Sequence, residues 1–219
     1  MQRYIQLSND GSSTVFNEMV NEAYHSKHGA LTESKHVFIE KGLMKVLKSH
    51  VRILEIGFGT GLNAILAFES AEKQNIQIEY CTIELYPLEN QLVEQLNYNQ
   101  YFEPSIQKVF MELHTCKWNE KIGISKNFVF KKFQENALEV KLSGLFDVVF
   151  FDAFSPEKQP ELWTIEFFKS IYDKMNSGAV LTTYCAKGIV KRALREIGFV
   201  VELLPGPPGK RQMIRAFKS

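Results

Sequence analysis

Hydrophobic and polar positions along this chain change period repeatedly, and each change marks an element. The run Val-Arg-Ile-Leu-Glu-Ile at 51–56 is mostly apolar, the pattern of a buried strand. After Gly57, Gly59 and Gly61 the apolar positions resume at Leu62, Ile65 and Leu66 with helical spacing. That predicts strand, tight turn, helix. Residues 76–85 alternate and are rich in β-formers, 88–96 read as an amphipathic helix, and 128–133 and 145–152 as a third and a fourth strand. An apolar helix is expected from Leu162 toward Met175, a fifth strand over 178–184, and a basic helix over 187–197 ended by Gly198. Two further strands, at 199–204 and 213–217, flank the proline- and glycine-rich stretch 205–211, which predicts a closing hairpin.

The first fifty residues are less regular. Residues 1–15 are polar, with Asn9-Asp10-Gly11-Ser12 as the turn of a short hairpin, and an apolar run of helical spacing leads toward Leu47. Between 97 and 127 the residues Tyr98, Tyr101, Phe102, His114 and Trp118 follow no clear period, so no element is predicted there.

Strands alternating with helices imply an α/β fold with a mostly parallel sheet, right-handed crossovers and a ligand site beyond the carboxyl ends of the strands. Three groups of residues fall at those ends. Gly57, Gly59 and Gly61 let the backbone turn sharply and approach a ligand, and the free amides at the following helix start favour polar or anionic ligand groups. Glu84 ends the second strand, where a carboxylate can accept from both ribose hydroxyls of an adenosine ligand. Gln134 and Glu135 end the third and are placed to meet an adenine, and Asp152 ends the fourth. A glycine turn alone is weak evidence, since the same spacing can join strand to helix without a ligand. The acid at the end of the next strand strengthens it.

Composition narrows the class. The chain has 219 residues, 45% hydrophobic and 23% charged, enough for one well-buried α/β domain with a small N-terminal extension. The formal net charge is only +1. No global field announces a polyanion, yet the last part of the chain concentrates Lys187, Lys191, Arg192, Arg195, Lys210, Arg211, Arg215 and Lys218, against Glu196 and Glu202. Cys81, Cys116 and Cys185 suit neither a disulfide framework nor a paired-cysteine zinc site and imply a reducing compartment. With no apolar signal core and no membrane-length run, a cytoplasmic protein is expected. His25, His28 and His36 lie close in sequence, but without a matching cysteine or carboxylate cluster no metal is expected.

The residues after Asp152, Ala-Phe-Ser-Pro-Glu-Lys-Gln-Pro-Glu-Leu-Trp at 153–163, are unusual for a simple connection. Pro156 and Pro160 stiffen the loop, and Phe154 and Trp163 offer flat faces to a planar substrate; for Trp163 a core-filling role is the competing reading.

Those motifs carry a resemblance. Glu55-Ile-Gly-Phe-Gly-Thr-Gly-Leu-Asn63 resembles the first motif of methyltransferases that use S-adenosyl-L-methionine, a group marked also by the terminal antiparallel hairpin. The stretch 152–164 is similar to a narrower signature, that of the methyltransferase domain of the bacterial tRNA 5-methylaminomethyl-2-thiouridine biosynthesis proteins; 31–38, 188–199 and 209–213 match the same family. The resemblance implies a Rossmann-like class I methyltransferase with a mostly parallel seven-stranded sheet, residues 1–48 as an extension packing on the site and 49–219 as the methyltransferase domain. It implies S-adenosyl-L-methionine held by Glu33, Glu55, Gly57, Phe58, Gly59, Thr60, Gly61, Asn63, Glu84, Gln134, Glu135 and Asp152. Gln134 departs from the family, which more often has an aspartate there. The expected reaction is methylation of the 5-aminomethyl group of wobble (2-thio)uridine in tRNA, with Asp152 orienting the amine or accepting its proton. His25, His28, Phe154, Pro156, Trp163 and Tyr184 are expected against the anticodon loop, with Lys187, Lys191, Arg192, Lys210 and Arg211 on its phosphates. Family members often carry a fused flavin-dependent oxidase that makes the amine. A chain of this length is expected to stand alone, as a monomer, with the amine supplied by a separate enzyme or a direct route. Competing readings are a small-molecule amine methyltransferase, an aminopropyl transferase, and a cofactor-binding module without catalysis.

Overall fold

The computed structural model describes residues 3–219; residues 1 and 2 of the expected extension lie outside the described residues. The order of elements follows the hydrophobic pattern. Three short strands come first, β1 (Arg3–Leu7), β2 (Ser13–Asn17) and β3 (Glu22–Ala23), joined antiparallel in their own small sheet. The turn at 8–12 is the predicted one: Asp10 accepts from Ser8 Oγ (2.8 Å) and Ser12 N (3.0 Å), and reaches across to Thr32 N (2.9 Å) in α1 (Ala30–Ser34). Burial opposes ionisation of Asp10, but the hydrogen bonds from Ser12 and Thr32 outweigh it and hold the carboxyl well below its ordinary range. The apolar run toward Leu47 does not form one helix. α1 widens into a π-helical turn over Lys35–Glu40, and a separate 3-10 turn covers Leu43–Lys45.

The main sheet is built from β4 (His50–Ile56), β5 (Gln77–Ile83), β6 (Lys121–Gly123), β7 (Phe128–Phe133), β8 (Phe146–Phe151), β9 (Met175–Thr183), β10 (Phe199–Pro205) and β11 (Gln212–Lys218), in the order β10-β11-β9-β8-β4-β5-β7-β6. β9-β8-β4-β5-β7 are parallel neighbours, and β11 and β10 close one edge antiparallel, as the sequence predicts. The three-residue β6, absent from the sequence expectation, adds an eighth strand antiparallel to β7. Helices α2 (Leu62–Gln74), α3 (Asn90–Val93), α4 (Pro104–Thr115), α5 (Ile165–Asp173) and α6 (Gly188–Ile197) cover the faces. Thr164 caps α5 by accepting from Phe167 N (3.2 Å), and Gly198 ends α6 with φ of 111°.

Alternation along the strands sorts side chains into two cores. Ile53 and Val148 face one packed around α2 and α4, whereas Leu54, Val149 and Phe151 face one packed around α5 and α6. Of the expected helix over 88–96 only Asn90–Val93 is α-helical, although Leu88, Val93 and Leu96 are buried as its pattern required. The segment without a period holds a 3-10 turn at Asn97–Tyr101, then α4 and β6. Among the described residues no helix is long and apolar enough to cross a membrane.

Chain order also locates the ligand site. From β4 the chain moves outward to β5 and β7, then returns to the other side of β4 as β8. The loops after β4 and β8 therefore leave in opposite directions and open a crevice at the switch point.

Candidate active site

A cavity of about 550 Å³ fills that crevice, within the range of small-molecule sites. The loop after β4 forms its floor. Gly57 has φ of 93°, and a Cβ there would fall 2.7 Å from the Asp152 carbonyl oxygen, so only glycine lets the two strand-end loops touch. Gly59 N donates to Glu84 Oε2 (3.0 Å), while Glu84 Oε1 accepts from Tyr86 N (2.9 Å). Glu84 thus ties the end of β5 to the glycine loop, and each oxygen keeps a second lone pair for a ligand hydroxyl.

Thr60, Gly61 and Asn63 do not line the cavity; they fix the loop from behind. Thr60 Oγ1 lies 2.6 Å from His25 Nε2 and accepts from Tyr98 OH (3.2 Å), and its carbonyl lies 3.1 Å from His114 Nε2. Burial lowers both histidines to about 4, so both rings are neutral near pH 7. Lys132, buried on β7, donates to the His114 carbonyl and lies 4.3 Å from the Trp118 ring centroid. Tyr98, His114 and Trp118, three of the residues without a period in the sequence, are the support beneath the glycine loop.

Asp152 borders the cavity where these loops meet, and Asn63 Nδ2 donates to its Oδ2 (2.8 Å). Burial pushes its carboxyl up to about 7, with the charge of Glu33 adding and the Asn63 bond and Lys210 opposing. Glu55, one strand over, is fully buried and lines nothing. Burial raises it to about 8, the Thr82 hydroxyl opposes, and Asp152 adds to the rise. It stands on β4, before the glycine loop and outside the cavity.

The opposite wall comes from the first residues of the chain. Tyr24 packs edge-on against Phe154 with ring centroids 5.0 Å apart, and Glu22 Oε2 accepts from Ser155 Oγ (2.7 Å) and Ser155 N (3.2 Å). Tyr184 OH donates to Ala153 O (2.9 Å). Trp163 is buried against Phe151 and Phe168 and donates from Nε1 to Phe154 O (2.7 Å). It therefore fills the core and holds Phe154 in place, the competing reading of that residue.

Of the residues singled out in the sequence, His25, Glu33, Gly57, Phe58, Gly59, Glu84, Glu135, Asp152, Phe154, Tyr184 and Lys210 surround the cavity. Gln134 is exposed outside it, while Asn136 and Ala137 beside Glu135 line it. Pro156 and His28 lie outside; the His28 ring packs against Gly209. His25, His28 and His36 diverge to Thr60, Gly209 and the Pro205 carbonyl. Lys187, Lys191, Arg192 and Arg211 stand outside the cavity, Lys187 paired with Glu157. The sequence missed Glu22, Tyr24, Arg3 and Lys158. Tyr24 directly precedes His25; nothing in the sequence marks Glu22 as the partner of Ser155.

A parallel sheet closed by an antiparallel hairpin, with a glycine loop facing an acidic strand end, is the class I S-adenosyl-L-methionine-dependent methyltransferase fold. Residues 90–219 match a family model described as S-adenosyl-L-methionine-dependent methyltransferase, and the chain belongs to that family. It is similar to the "tRNA 5-methylaminomethyl-2-thiouridine biosynthesis bifunctional protein MnmC" of Marinomonas sp. (28% identity, 88% of this chain, 31% of the relative). The protein of the same name from Idiomarina loihiensis is 31% identical over 94% of this chain and 38% of its own length. The chain thus spans about a third of these curated relatives. Among solved structures it is similar to MnmC2 from Aquifex aeolicus, with a TM-score of 0.82 and 27% identity over 100% of this chain and 70% of that one. Spermidine synthase from Thermotoga maritima, with a TM-score of 0.53 and 14% identity, shares the fold alone.

The residues present fit the cofactor. A Cβ on Gly59 would meet the Tyr24 ring at 2.8 Å, so the glycine lets that ring close against the loop at the cavity wall, and Glu84 and Glu135 supply acceptors for hydroxyl and amino donors.

Proposed function

We propose that this methyltransferase acts on a primary amine in RNA, the 5-aminomethyl group of wobble (2-thio)uridine in tRNA, giving the 5-methylaminomethyl nucleoside. The observation that carries the reading is Asp152: a single carboxyl with one hydrogen-bond donor, at the junction between the glycine loop and the wall built by Tyr24 and Phe154. The names of the MnmC relatives support the choice of substrate. When bound, S-adenosyl-L-methionine supplies an electrophilic methyl on a sulfonium.

The chain's own contribution is to hold a neutral amine in line and to take its proton. A carboxyl near 7 suits this, because close to the working pH it is basic enough to accept and is still ionised in a useful fraction of molecules. Gly57, Gly59, Glu84 and Glu135, with Asn136 beside them, hold the cofactor. Glu22 keeps the loop carrying Phe154 in place, and Tyr24 and Phe154 flank the acceptor base. Positioning supplies much of the acceleration. Lys191, Arg192 and Arg211 meet phosphates, residues 1–48 form the extension over the site, and 49–219 the methyltransferase domain.

Nucleoside mass spectrometry of tRNA carrying 5-aminomethyluridine, before and after incubation with the protein and S-adenosyl-L-methionine, tests this. The expected result is a gain of one methyl on that nucleoside. An unchanged nucleoside, with cofactor binding demonstrated separately, would sink the RNA substrate and leave the family assignment standing.

A further inference from the structure

The two ends of the chain meet over the cavity. Glu33, buried on α1, and Lys210, in the loop between β10 and β11, form an ion pair there, and the Lys210 ammonium lies 3.8 Å from the Tyr184 ring centroid. The other Glu33 oxygen accepts from Ser26 N (2.7 Å). Two more contacts hold this region: His36 Nε2 lies 2.9 Å from the carbonyl of Pro205, the last residue of β10, and the His28 ring stands where a Cβ on Gly209 of the loop would fall, 2.0 Å away. Glu33, Lys210, Tyr184 and Asp152 all line the one cavity. From the sequence, Glu33 belonged with the cofactor and Lys210 with tRNA phosphates. An ammonium already engaged by a buried carboxylate and an aromatic face is poorly placed for a phosphate, because leaving would strand Glu33 without its partner.

We propose that Glu33 and Lys210 are positioning residues for Asp152: their ion pair, joining the two ends of the chain, closes the cavity beside it and fixes the charge its carboxyl presents to the acceptor. The inference rests on the reading of Asp152 as the group that holds the amine. Its physical content is a balance of signs. Burial raises the Asp152 carboxyl, the negative Glu33 raises it further, and Asn63 and the positive Lys210 lower it. The other titratable groups whose charge acts on Asp152 are Glu55 on β4, Tyr80 on β5, Tyr98 from the 3-10 turn and Tyr184 after β9; burial keeps the three tyrosines protonated, and Glu55, raised to about 8, is mostly neutral where Asp152 titrates. His25, buried beside Glu33, is neutral near pH 7. Glu33 and Lys210 are therefore the two charges whose removal should move Asp152 in opposite directions.

The test is a titration of the Asp152 carboxyl by nuclear magnetic resonance in the full chain carrying isotope-labelled aspartate, with the signal assigned from Asp152→Asn. Lys210→Met should raise the midpoint and Glu33→Gln should lower it, each by about 1 pH unit, and Lys210→Arg should restore it. A pair that only holds the fold would lower the melting temperature in both variants and leave the midpoint where it was; that result, or two shifts of the same sign, would overturn the proposal. Should Lys210→Met fail to fold, Glu33→Gln still reads the sign. No acceptor is present in the titration, so its failure and the failure of the tRNA reading are separate results.

Discussion

At the entry to β8, Asp147 accepts hydrogen bonds from Lys48 Nζ (2.5 Å), Arg52 N (2.9 Å) and Asn176 Nδ2 (2.8 Å). Past the exit of the same strand, Asp152 accepts from Asn63 Nδ2 (2.8 Å). Burial alone would raise both carboxyls. At Asp147 the donors from Lys48, Arg52 and Asn176 outweigh it and hold the group below its ordinary range, whereas at Asp152 the single donor does not, and the carboxyl rises to about 7. The amino end of the sheet therefore uses its acids to stitch strands together, as Glu79 does again between Arg52 and Lys121. At the carboxyl end burial raises both Glu55 and Asp152, and of the two Asp152 faces the cavity. A carboxylate saturated with donors has little basicity left to offer a substrate.

The largest effect that would sharpen this contrast is at the stitched end. Asp147→Ala leaves Arg52 N and Asn176 without their acceptor and should cost about 3 kcal/mol in denaturant unfolding, with methyl transfer per folded molecule unchanged. A loss of turnover without loss of stability would break the division between the two ends.

A smaller effect lies in pH. Asp152 and Glu55, raised to about 7 and about 8, hold protons in the native state that the unfolded chain has released, so the stability they contribute is present at low pH and lost as pH rises through those values. His25 and His114, lowered to about 4, act in the opposite sense, since the unfolded chain binds their protons below about 6.5. The two pairs offset each other from roughly pH 4 to 6.5. Above that the carboxyls outweigh the residual histidine effect, and unfolding free energy should fall by about 1–2 kcal/mol between pH 6.5 and 8. A stability that climbs across that interval would mean the carboxyl end holds its acids ionised like the other.

The smallest expected effect concerns the outer surface. Lys191→Ala with Arg192→Ala should reduce the salt dependence of tRNA binding by about 2 in log-log slope, with the bound-state rate unchanged. An unaltered slope would remove α6 from the RNA face.

The sheet was legible because β4, β5, β7 and β8 each read as a short apolar or alternating run bounded by turn residues, and because an acid or glycine at each exit falls beyond the strand ends by construction. Elements whose side chains answer to tertiary neighbours were not legible. Tyr98, His114 and Trp118 show no period since each is aimed at the underside of the glycine loop from a different turn or helix. The helix expected over 88–96 shortens because its buried residues are satisfied by a four-residue helix and flanking turns. Gln134 and Glu135 were equivalent candidates in sequence; the chain leaving β7 turns Glu135 inward and leaves Gln134 outside. The wall from Glu22 and Tyr24, and the pairing of Glu33 with Lys210, join residues too distant in the chain for any local pattern to connect.

Asp152 is proposed as the carboxyl that serves the acceptor amine. The most direct measurement is the single-turnover rate of methyl transfer to tRNA carrying 5-aminomethyluridine, from pH 5.5 to 8.5, for the native chain and Asp152→Asn, with bound S-adenosyl-L-methionine quantified in both. The expected outcome is a native rate that rises with a midpoint of about 7 and a variant slower by about 10²–10⁴ that has lost that limb while still binding cofactor. A variant that keeps the native rate and the native limb would contradict it.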